Sequence, residues 1–144
     1  MARNQDWKSP ERLWRQTVLA SPLSPRAHNN MGDVYGTEGN IEGALQEFKT
    51  SVTLKPDYSD GFHNLANTYQ RQGNFTEAVK YYKLAVTFNP LLGESYFNLG
   101  VIYLNRQEYD PAIESFRKVC ELWPNDQSVK SALDIAIKRK NNAK

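Results

Sequence analysis

The chain holds few residues able to do covalent chemistry. Histidine occurs twice, as His28 and His63, and cysteine once, as Cys120. No Cys/His cluster has the spacing of a metal site, and no glycine-rich phosphate loop is present. The glycines of Gly39-Asn40 and Gly73-Asn74 are single and belong to turns. No catalytic residue, metal or cofactor is therefore expected. What recurs instead is an amide. Asn30, Asn64 and Asn98 stand 34 residues apart. An amide side chain both donates and accepts hydrogen bonds, so such a ladder suits an extended peptide backbone, held without regard to its sequence.

The elements that must carry this ladder share its period. Pro22, Pro56, Pro90 and Pro124 are 34 residues apart, as are Trp14, Phe48, Tyr82 and Phe116. Tyr35, Tyr69 and Tyr103 repeat, as do Ala44, Ala78 and Ala112, then Met31, Leu65 and Leu99, and the small residues Gly32, Ala66 and Gly100. Leu65 and Tyr69 sit four apart, on one face of a helix. Gly73-Asn74 ends that helix, because glycine readily takes the left-handed conformation of a helix terminus. A second helix carries Ala78, Tyr82, Ala85 and Val86 at spacings of three and four. Its alanine leaves room for a neighbouring helix, and the proline stops it. Each repeat is a helical hairpin that completes its core only against its neighbours.

These positions resemble the tetratricopeptide repeat. The second repeat reads Phe62, Leu65, Ala66, Tyr69, Ala78, Tyr82 and Pro90; the third reads Tyr96, Leu99, Gly100, Tyr103, Ala112, Phe116 and Pro124. The first departs mildly, with His28 in the large-residue slot and Met31 for leucine, and Gln107 replaces the glycine of the other turns. The resemblance implies an all-α fold, a right-handed solenoid of helix-turn-helix repeats at 25–58, 59–92 and 93–126. Residues 1–24 are read as an N-terminal half-repeat helix, with Trp14 and Pro22 in register, as if cut from a longer array. Residues 127–144 are read as a solvating helix, with Val129, Ala132, Leu133, Ala136 and Ile137 on one stripe, followed by a basic tail. The start, Arg3 to Trp7 followed by Leu13-Trp14, also resembles the junction before the repeats of the transmembrane-and-tetratricopeptide O-mannosyltransferases. Trp7 is alternatively a plug for the exposed solenoid end.

In this family the first helices line a concave groove. The resemblance places Asn29, Asn30, Asp33, His63, Asn64, Asn67, Arg71, Phe97, Asn98, Val101 and Asn105 there, a polar surface with one apolar patch at Phe97 and Val101. Arg26, Thr37, Asp60 and Glu94 take groove positions too. The O-linked N-acetylglucosamine transferase repeats use a comparable asparagine ladder; the alternative is that these asparagines serve helix contacts. His28 is expected in the core, His63 against a peptide, and Cys120 as a small buried hydrophobe. The subtype that captures acidic chaperone tails needs lysines where this chain has Asn29 and Glu94, so such tails are not expected ligands.

Composition narrows the partners. Lysine and arginine number 18 against 16 acidic residues, a net charge of +2, with no clustered basic face of the kind nucleic acid requires. A single cysteine excludes an intrachain disulfide. No apolar run approaches the ~18 residues of a membrane span, and no signal peptide is visible, so the sequence carries no address and no direct membrane contact is expected. Three readings stay open: a protein- or peptide-binding scaffold, a substrate-holding or regulatory portion of a larger membrane glycosyltransferase, and a module that self-associates through its solenoid ends.

Overall fold

The computed structural model describes residues 9–144. Trp7 and the Arg3–Trp7 segment lie outside the described residues. Among the described residues there are eight α-helices and no strand. The chain forms two compact units that meet in sequence between Tyr81 and Tyr82, inside helix α5 (Phe75–Phe88).

The N-terminal unit begins with α1 (Pro10–Ala20) and α2 (Pro25–Thr37). Both start on a Ser-Pro pair. The serine hydroxyl accepts an orphan backbone N–H, Ser9 from Arg12 at 3.3 Å and Ser24 from Ala27 at 3.2 Å. The proline takes the first helical position, where it has no hydrogen bond to lose. Then α2 ends at Gly39, φ 81°, and Asn40 caps α3 (Ile41–Leu54) through its side chain on the Gly43 N–H at 3.0 Å. The turn after α4 (Ser59–Arg71) repeats this, with Gly73 at φ 80° and the Asn74 side chain accepting from the Glu77 N–H.

Packing explains the small-residue slot. A β-carbon built on Gly32 would stand 2.5 Å from the Phe48 ring, so α2 and α3 reach their spacing only with glycine there. Ala44, Leu45, Phe48 and Leu65 form the buried centre, edged by Tyr35, Ile41, Val52, Tyr69 and Tyr81. Tyr81 stacks almost parallel on Tyr69, with ring centroids 5.6 Å apart, and on Phe62 at 6.1 Å. His28 does occupy a buried slot, yet not as a hydrophobe. Its Nδ1 lies 2.6 Å from Glu47 Oε2 and its Nε2 2.8 Å from the Pro22 carbonyl oxygen. It thereby ties α2 to α3 and to the loop ahead of it.

In the C-terminal unit, α6 (Gly93–Asn105) packs on α7 (Tyr109–Leu122), and α7 on α8 (Gln127–Asn142). Gly100 repeats the device of Gly32: a β-carbon there would meet Phe116 at 2.6 Å. Gln107, in the turn between α6 and α7, has φ 62°, the left-handed conformation that its glycine counterparts adopt. Helix α8 buries Val129 and Ala136, with Ala132, Leu133 and Ile137 half-buried, and Lys140 pairs with Asp110 at 2.6 Å. Asp110 lies in the first turn of α7, where the helix dipole also favours an anion. Cys120 differs from expectation. It is half-exposed, because its place on α7 falls at the edge of the packed stripe that buries Phe116 and Val119.

Candidate peptide-binding faces

In the N-terminal unit α2 packs against α4 as well as α3, so two first helices lie side by side. Polar side chains knit them together. Asn64 Nδ2 donates to Asn29 Oδ1 at 3.1 Å, and Arg71 Nη1 donates to the Gly36 carbonyl at 3.1 Å. His63 and Asn67, one turn apart on α4, bond to each other at 3.1 Å through the His63 Nε2. Asp33 is near enough to Asp60 that the second carboxylate raises the pKa of the first, adding to the larger effect of desolvation. The Asp33 side chain is exposed by surface area, yet enough protein surrounds it for desolvation to lead. Tyr58 is also pushed up, by burial first and then by Asp60.

Asn29 departs from its expected place in the groove. It is 6% exposed and serves as an internal acceptor between α2 and α4. Neighbouring helical residues point about 100° apart, and it is Asn30, half-buried, that borders open space. Asn30 and Asp33 line a cavity of about 410 Å³ with Val34, Thr37 and Glu38 of α2 and Pro10 and Trp14 of α1. The α1 wall of this cavity was not anticipated. The available signal was Trp14, which keeps the register of the aromatic slot but is half-buried, whereas Phe48 and Phe116 are buried.

In the C-terminal unit α6 carries Phe97, Asn98, Val101 and Asn105. Asn105 is exposed and the other three are half-buried. Phe97 meets Phe116 edge-on, centroids 5.6 Å apart at 61°, so much of its ring belongs to the α6–α7 hairpin. Asn98 Nδ2 donates to the Tyr82 hydroxyl at 3.1 Å. Tyr82 is fully buried, and that burial pushes its pKa up to about 12, against the lowering effect of the Asn98 bond. Two ladder amides, Asn64 and Asn98, thus already hold side chains of their own unit. Among the described residues no group of His, Cys, Asp and Glu is placed to hold a metal ion, and no helix is long and apolar enough to cross a membrane.

Comparison with known proteins gives a consistent result. The family description "Tetratricopeptide repeat" matches residues 57–125, and a second, "TPR repeat", matches residues 32–73. A curated relative, Protein O-mannosyl-transferase Tmtc2 of Drosophila melanogaster, is 32% identical over 60 residues, 42% of this chain. The matched stretch spans only 6% of that relative's length. Among solved structures, the MamA protein superposes with a TM-score of 0.83 at 20% identity, covering 97% of this chain and 77% of that one. The first TPR of Spaghetti (RPAP3), bound to the HSP90 peptide SRMEEVD, gives 0.74 at 22% identity, covering 80% and 91%. Similarity at these identities concerns the fold.

Proposed function

Because this chain belongs to the tetratricopeptide-repeat family, we propose that it is a non-catalytic scaffold that holds a protein or peptide segment on the faces of its first helices. The observation that carries this reading is the pairing of α2 with α4 in the N-terminal unit, which sets Asn30, Asp33, His63, Asn64, Asn67 and Arg71 on two adjacent helices. Donors, acceptors and both signs of charge are present, the inventory an extended backbone and its side chains need. In the C-terminal unit Asn98, Val101 and Asn105 of α6, with the exposed part of Phe97, supply the corresponding contacts. That a repeat of the same fold holds a peptide supports the reading. The test is photo-crosslinking. Peptides selected from a random library on the full chain, then fitted with a photoreactive phenylalanine, should label α2, α4 or α6. Labelling confined to α3 and α7 would refute the proposal.

A second reading has its own support in the match to the O-mannosyl-transferase of Drosophila. In it this segment is a substrate-holding or regulatory part of a larger glycosyltransferase, its faces engaging the protein to be modified. The exposed Leu13 and Leu19 of α1 support a third, self-association through that end. Light scattering across a concentration series separates it from the other two.

A further inference from the structure

The cavity between α1 and α2 has a composition that names its occupant. Pro10, Trp14 and Val34 give it apolar and aromatic walls; Asn30, Asp33 and Glu38 give it oxygen acceptors, and among the described residues no basic side chain lines it. It lies along the last turn of α2, at the negative end of that helix's dipole. That turn contains no basic residue of its own. Asp33 and Asp60 have no ion pair among the described residues. Two nearby cations are committed elsewhere. Arg15 bonds Glu11 at 2.6 Å and the Tyr35 hydroxyl at 3.2 Å, and Arg71 bonds the Gly36 carbonyl. Arg26 acts on Tyr58 but is not among the influences on Asp33. The Asp33 carboxylate is disfavoured where it stands, by desolvation and by Asp60.

From this geometry we propose that the α1–α2 cavity receives a basic side chain, lysine or arginine, of the bound protein segment. The proposal rests on the scaffold reading above and adds the chemistry of one subsite. The aliphatic stem of the basic residue packs against Pro10 and Val34. Its cationic head reaches Asp33, the Asn30 amide oxygen and the aromatic surface of Trp14, a cation–π partner. A cation there also relieves the electrostatic cost of ionising Asp33 next to Asp60. A free anion or an acidic side chain would meet Asp33, Glu38 and the helix C-terminus, all of like sign.

The experiment is a selection of random decapeptides on the full chain and on Asp33→Asn, with both proteins checked by melting. The wild type should enrich lysine or arginine at one peptide position, and Asp33→Asn should lose that preference while still capturing peptides. A selected peptide should bind Asp33→Asn about tenfold more weakly or worse, the scale of a lost charge-assisted hydrogen bond. The same peptide with norleucine at the basic position should bind both proteins alike, and the basic peptide should weaken as salt rises. Capture with no basic preference, or a preference untouched by Asp33→Asn, overturns the subsite and leaves the scaffold reading standing. Failure of the wild type to capture any peptide overturns both. Should Asp33→Asn not fold, Glu38→Gln and Trp14→Leu carry the same comparison.

Discussion

Gln107→Gly should make the protein more stable. Residue 107 has φ 62°, and the equivalent turns use Gly39 and Gly73 at 81° and 80°. An L-residue in the left-handed region brings its β-carbon close to a carbonyl oxygen, at a cost of roughly 1–2 kcal/mol. Glycine removes that cost but gains freedom in the unfolded chain, worth about 0.5–1 kcal/mol in the other direction. The net gain is therefore about 0.5–1 kcal/mol. The Gln107 side chain is exposed and has no hydrogen bond among the described residues to give up. The reverse change, Gly73→Gln, isolates the same backbone quantity. A β-carbon at Gly73 meets nothing within 4 Å, so no packing effect intrudes, and a loss of similar size is expected. Urea unfolding monitored by circular dichroism reads both. The two midpoints should move in opposite directions at constant slope, and the thermal midpoints by about 2–4 °C per kcal/mol for a chain of this length. A Gln107→Gly protein less stable than the wild type, or a neutral Gly73→Gln, refutes the backbone argument.

Ala78 is fully buried, so Ala78→Leu should lower stability by roughly 1–3 kcal/mol through overpacking; an unchanged melting curve contradicts that. Asn98→Ala removes one hydrogen bond to the buried Tyr82 hydroxyl and should cost about 0.5–1.5 kcal/mol, whereas Asn105→Ala at the exposed end of α6 should leave the melting point where it is. Asp33 has a raised pKa, so its ionisation opposes folding. The contribution is absent at pH values below the unfolded carboxylate range and sets in as pH rises through the folded pKa. Asp33→Asn should consequently match the wild type in acid and be slightly more stable at neutral pH, by about 0.5 kcal/mol or less given its exposure, and lower stability at pH 7 contradicts the sign. Acidic chaperone-tail peptides should show no micromolar binding in calorimetry, since Asn29, Glu94 and Asn98 stand where lysine or other clamp residues would be needed.

The sequence by itself determined where helices start and stop. Ser-Pro pairs, Gly-Asn turns and the repeated proline act on the backbone within a few residues, so their effect does not depend on distant partners. Even the exception was legible: Gln107 keeps the left-handed turn because the 34-residue register demands one there, whichever residue fills it. The pairing of small and aromatic slots, Gly32 under Phe48 and Gly100 under Phe116, was likewise implied by a shared period. Tertiary structure decided what the polar side chains do. On a helix one residue's step is about 100°, so whether Asn29 or Asn30 faces open space depends on a modest rotation of α2 against α4, and packing sets that rotation. The bonds from Asn64 to Asn29 and from Asn98 to Tyr82 join residues that no local rule connects. The same holds for the cavity of Trp14 and Asp33. Its walls come from two helices, each reasonable alone, and its acidic character arises only once α1 lies along the C-terminal turn of α2, where Arg15 and Arg71 already bind other oxygens.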